Sequence, residues 1–212
     1  PGVASLRGVA LALALTALGL AAPGWACADI FLNEILADPA RDWNNSGAVS
    51  SRDDEWVEVI NAGTAAVDLT GWRVAGPDSI WRYEFSGVLQ PGQVQVCYGK
   101  QSYDWETAHG FPAFGLRLGN TGGELLLFQM VGTTPVLRDR YAYSDHEAED
   151  DRSSGRSPDG GANWALFDAL NPYTGTEVPL GNACAPSPGS RQTCATPVQP
   201  TTWGRLKALY HS

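Results

Sequence analysis

Cysteine is scarce, and so is positive charge. Four cysteines occur in 212 residues, and no two stand in a CxxC pair. A finger-type zinc site and a thioredoxin-like redox centre therefore find no support, since both need closely spaced thiolates. Lys and Arg total 14 against 23 Asp and Glu, a formal charge of −9. The basic residues are scattered singly, so no stripe exists to neutralise a row of phosphates. Binding to nucleic acid or to anionic lipid is disfavoured on that ground. Histidine occurs three times, as His109, His146 and His211, and none accompanies a recognisable Ser or Cys nucleophile motif. Long amphipathic helices are also missing: none is read between the first 26 residues and the last ten.

The single long apolar run lies near the start. Arg7 precedes a run from Val9 to Ala22, Pro23-Gly24 follows it, and Ala26-Cys27-Ala28 offers a small-x-small cleavage site. This order predicts a signal peptide over residues 1–28, hence a secreted or cell-surface protein with no membrane insertion after cleavage. The run is short for a bilayer span. Export permits disulfides, and Cys184 and Cys194 bracket a flexible stretch that can close a small loop. Cys97, inside Val94-Gln95-Val96-Cys97-Tyr98, reads as a buried free thiol.

What is abundant is the material of an all-β protein. Eight Trp, seven Tyr and six Phe occur with 24 Gly and 14 Pro, and short apolar runs alternate with turn signals. Strands are predicted at 30–36, 55–60, 70–75, 81–85, 93–98, 124–130 and 136–143. About seven such strands pack most naturally as an antiparallel two-sheet sandwich occupying residues 29–180. The predicted core includes Ile30, Leu32, Trp56, Ile60, Leu69, Trp72, Val74, Val96, Leu125, Leu127 and Trp164. Residues 144–162, acidic from Asp145 to Asp151, read as a solvated hairpin tip. Residues 181–202 are rich in Pro, Ser, Thr, Gln and Gly and read as a linker. At residues 203–212, Trp203, Leu206, Leu209 and Tyr210 fall on one side at helical spacing, which predicts a short docking helix.

Three linked motifs carry a family resemblance. Asn33-Glu34-Ile35, then Asp54-Glu55-Trp56-Val57-Glu58-Val59-Ile60-Asn61, then Val67-Asp68-Leu69-Thr70-Gly71-Trp72 resemble successive signatures of the lamin-tail domain. Ser157-Pro158-Asp159-Gly160 followed by Trp164 continues the match. The resemblance implies an immunoglobulin-like β-sandwich and, because heptad rod and prenylation cysteine are both missing, the exported bacterial members in which the domain is an accessory or interaction module. One departure stands out: Leu118-Gly119-Asn120-Thr121-Gly122-Gly123 keeps the family's turn but loses two polar side chains.

The functional expectations centre on the loop between the first two strands. Asp42, Asn44, Ser46, the Ala48 carbonyl and Asp53 can be laid on the twelve-position calcium pattern, with Gly47 at the sharp turn. Ser46 and the short Asp53 depart from that pattern, so weak Ca2+ binding or a metal-free Asx-turn loop are the two readings. Trp43 in this loop and Trp105 are candidate ligand-binding rings. The expected function is a non-enzymatic binding or structural module of the cell envelope or extracellular space, with a protein partner. A carbohydrate-binding module contacting surface polysaccharide through loop aromatics is the alternative. A metal-dependent hydrolase is the least favoured class.

Overall fold

The computed structural model describes residues 30–192. The signal segment, Cys27, Cys194 and the docking residues Trp203, Leu206, Leu209 and Tyr210 lie outside that range.

The chain builds two antiparallel sheets. The first contains β1 (Ile30–Leu36), β2 (Trp56–Asn61), β7 (Val94–Tyr98), β10 (Ser153–Arg156) and β11 (Trp164–Phe167), in the order β11-β10-β1-β2-β7. The second has the order β5-β4-β8-β9, from β4 (Trp72–Ala75), β5 (Trp81–Glu84), β8 (Gly122–Val131) and β9 (Thr134–Ser144). A small pair, β3 (Val67–Asp68) with β6 (Val88–Leu89), closes one end. The chain leaves the first sheet after β2, returns for β7, and returns again for β10 and β11. These crossings make the layers a sandwich and bring residues over 100 positions apart into contact.

Side-chain parity explains the core. Val57 and Val59 of β2 face the second sheet and meet Leu69, Trp72, Val74, Leu125 and Leu127. In β1 the inward residues are Ile30, Leu32 and Ile35, which strict alternation could not place on one face. A bulge between Leu32 and Glu34 supplies the extra residue. It turns Asn33 and Glu34 together onto the opposite face. That face is not solvated either: Trp56, Glu58 and Ile60 are all buried. Val96 and Trp164 are half-buried, whereas the other nine predicted core residues are buried. Cys97 is a buried free thiol.

Three expectations need correction. Residues 99–108 form a helix, α1 (Gly99–Ala108), whose buried positions are Gly99, Ser102 and Glu106. Its inward stripe is polar, so hydrophobic periodicity could not show it. The helix sits so close to the 38–54 loop that a Cβ on Gly99 would lie 1.8 Å from the Arg52 carbonyl oxygen. Second, residues 144–162 are no solvated tip. After a single 3-10 turn at Asp145–Glu147, β10 enters the first sheet between β1 and β11, with Ser153, Ser154 and Gly155 buried. Gly155 is needed there, because a Cβ would stand 2.8 Å from the Phe167 ring and 2.9 Å from Glu34 Cγ. Third, residues 181–192 of the expected linker are packed. The Leu166 amide donates to the Leu180 carbonyl and the Asn182 amide to that of Leu166, extending the sheet beyond β11. The chain then crosses the outer face of the first sheet.

Candidate functional site

The loop between β1 and β2 draws several of its predicted ligands together. Asp42 accepts hydrogen bonds from the amides of Ser46 (2.8 Å) and Gly47 (2.7 Å). Asn44 Oδ1 also accepts from the Ser46 amide, at 2.8 Å, and Ser46 Oγ donates to the Ala48 carbonyl at 3.1 Å. Asn45 and Gly47 take positive φ, which folds the chain back on these acceptors. Asp53 is turned elsewhere: its carboxylate pairs with Arg52 Nε at 2.7 Å. The loop is closed instead by Asp54, fully buried, which accepts from the amides of Asn44 and Ser50.

Trp43 is half-buried. Its ring packs on Trp56 at 6.2 Å and its indole N–H donates to Asp151 at 2.8 Å. Asp151 also accepts from the Ala40 amide and from Arg41, so it clamps the loop onto the turn before β10. Sequence reading missed Asp54 and Asp151. Nothing local marks the Asp151 clamp, whose partners are 108 to 111 residues away. Trp105, on α1, is half-buried with His109 stacked on it at 4.4 Å and Phe111 at 5.4 Å. Cys184 is buried, and its expected partner Cys194 lies outside the described residues.

The family motifs converge on the outer face of the first sheet. Asn33 Nδ2 donates to Glu58 (2.8 Å) and to Asp159 (2.9 Å), while the Gly160 amide donates to Asn33 Oδ1. Glu34 accepts from the hydroxyls of Ser153 and Ser187 and from the Ser187 amide. The 187–192 stretch covers this network, with the Gly189 amide on Glu58 and the Gln192 amide on Asp159. Burial pushes Glu34 up to about 7 and Glu58 up to about 8, because the charged forms lose water that these donors only partly replace. Glu55, also raised to about 8 by burial, takes the Leu118 amide.

The same device recurs elsewhere. Glu106 accepts from the amides of Phe114 and Gly115 and pairs with buried Arg82. Glu147 accepts from Tyr141, Ser144 and Ser154, and Asp168 takes the amides of Tyr173 and Ala183. Each of these acids satisfies turn amides or hydroxyls that burial would otherwise leave unpaired, which is scaffold chemistry.

Two antiparallel sheets with this crossing pattern, tied by buried carboxylates, define an immunoglobulin-like β-sandwich. Residues 25–145 match the family model described as Lamin Tail Domain, and the chain belongs to that family. The domain is an immunoglobulin-like structural and protein-interaction module, of a family not typically enzymatic. The match ends at the turn before β10, so the two strands that complete the first sheet lie beyond it. No curated protein and no solved structure matches the chain.

Proposed function

We propose that this lamin tail domain is an exported, non-enzymatic module that docks a protein partner through the outer face of its four-stranded sheet. One contrast carries the reading. The first sheet's outer face is roofed by the chain itself, whereas the second sheet's carries a row of half-exposed apolar groups. Phe128 stands opposite Arg73 on one side and Leu137 on the other. Trp81 meets Phe128 edge-on at 5.3 Å, Arg73 lies over the Trp81 ring, and Leu137 is 45% exposed. Aromatic and Arg anchors beside an aliphatic are the composition of protein-binding hot spots. A photo-crosslinker at position 137 in the exported full chain should capture a discrete partner. Leu137→Asp should weaken that partner's binding about tenfold or more without altering the melting temperature. Unchanged binding would refute the docking face, and retention of the tagged chain in the cytoplasm would refute export.

Calcium at the 42–53 loop is part of the proposal, as a weak stiffening ion. Its support is the clustering of Asp42, Asn44, Ser46 and the Ala48 carbonyl around one turn. Asp53 would have to leave Arg52 to join them, which argues for low affinity. Melting in millimolar CaCl2 should exceed melting in chelator by a few degrees, and Asp42→Ala should remove the difference. Equal melting in both buffers would leave the loop metal-free.

The carbohydrate alternative shifts from Trp43, whose N–H and ring are engaged, to Trp105. There a cavity of about 370 Å³ is lined by Trp105, Tyr83, Thr70, Glu84 and Ser86. Glycan-array signal lost with Trp105→Ala and kept with Trp43→Ala is the outcome that reading requires.

A further inference from the structure

We infer that Asp145, His146 and Glu177 form a divalent transition-metal site that fastens the 170–181 segment to the turn between β9 and β10. A ligand atom from each lies within 4.8 Å of the other two. His146 Nδ1 stands 3.5 Å from Glu177 Oε2. Ligands about 2.0–2.1 Å from a tetrahedral zinc ion are roughly 3.3 Å apart, so this pair already has nearly the required separation. Nitrogen with carboxylate oxygen suits Zn2+ better than Ca2+, which takes oxygen alone.

The surroundings of the imidazole point the same way. Its side chain is only 10% exposed, and Nε2 lies 3.4 Å from the Pro179 carbonyl oxygen. A carbonyl there holds the ring proton on Nε2 and leaves Nδ1, the nitrogen nearer Glu177, with its lone pair, which is how metal-bound histidines are oriented by their outer partners. The Tyr173 ring packs against the imidazole at 4.9 Å and fixes its plane. Ser144 Oγ, 2.6 Å from Nδ1, donates to that lone pair in the metal-free protein. It can turn to Glu147 Oε1, 3.5 Å away, when an ion takes its place. Glu177 is 73% exposed, which leaves an open route for the ion and room for water as the remaining ligand.

Asp145 and His146 sit at the exit of β9, while Glu177 belongs to the stretch that runs on to cover the first sheet. An ion held by all three would cross-link elements some 30 residues apart. It would also oppose peeling of the C-terminal segment from the sheet.

The test is a zinc and cobalt titration of the full chain, read by melting temperature and by visible absorption. Saturating Zn2+ should raise the melting temperature by about 3–6 °C over chelator, and Co2+ should give the strong visible bands of a tetrahedral N/O site. His146→Ala and Glu177→Gln should each abolish both signals. Glu177→Gln alters an exposed carboxylate, so loss of folding cannot account for its effect. Identical melting in Zn2+ and chelator with no cobalt band would overturn the inference and leave His146 beside Glu177 with no ion between them. Full-sized signals surviving in both variants would overturn it too, by placing the ion elsewhere.

Discussion

Replacing Glu106 with alanine is expected to destabilise the domain by about 3–5 kcal/mol, the range found when one partner of a buried ion pair is removed. Arg82 is 1% exposed and Glu106 0% exposed, and they meet at 3.0 Å. The alanine variant would strand the Arg82 guanidinium in a site with little water, its remaining carboxylate partner being Asp78. It would also leave the amides of Phe114 and Gly115 without their acceptor, and an unmade buried hydrogen bond adds to the cost. Urea denaturation of parent and variant measures the difference. Glu106→Gln keeps an acceptor for one amide and should lose less. A loss below about 1 kcal/mol in Glu106→Ala would show that water replaces the carboxylate and that α1 is not anchored by this pair. Because α1 carries Trp105, the variant should also loosen the Trp105, His109 and Phe111 stack, visible as a change in near-ultraviolet circular dichroism.

Much of the sandwich was legible because its central strands obey simple rules. Val57 and Val59 alternate with Trp56, Glu58 and Ile60, and the turn residues between apolar runs fall at the ends of β4, β5, β7, β8 and β9. What escaped was built from residues that look like loop. β10 reads Ser-Ser-Gly-Arg, and its place in the sheet comes from Gly155, whose missing side chain admits Phe167 and Glu34. α1 buries Gly99, Ser102 and Glu106, a polar stripe whose partners are a backbone carbonyl on β5 and Arg82. The candidate loop was legible to the extent that its chemistry is local. Asp42, Asn44 and Ser46 do converge, since an Asx turn acts over a few residues. Asp151 and the cover over Glu34 depend on chain returning from more than 100 positions away, and no window of sequence contains both sides of those contacts.

Stability is expected to fall as pH rises from about 5 to 9, opposite to the trend set by salt-bridged surface carboxylates. Glu34 is raised from 4.5 to about 7 and Glu58 from 4.5 to about 8, each chiefly by burial. In the unfolded chain both ionise near 4.5, so between 4.5 and these raised values the folded state binds more protons than the unfolded one. The contribution of the protonated acids is therefore complete below 4.5 and is lost as pH climbs through about 7 and then about 8. Rises from 4.5 to about 7 and to about 8 correspond to on the order of 3–5 kcal/mol per group, and Glu55, raised in the same way, adds to the slope. The strain falls on the 187–192 stretch, because ionised Glu34 and Glu58 draw water into the interface that Ser187 and Gly189 cover. Melting temperature measured across this range should drop, and hydrogen exchange at residues 187–192 should quicken before the rest of the sheet. Glu34→Gln separates the cause. Its carbonyl can accept from Ser153 and the Ser187 amide while its amide donates to Ser187 Oγ, since hydroxyls rotate to either role. The variant should match the parent near pH 5, exceed it near pH 9, and show a flatter profile. A parent equally stable at both ends would mean that water already reaches these carboxylates beneath the covering segment.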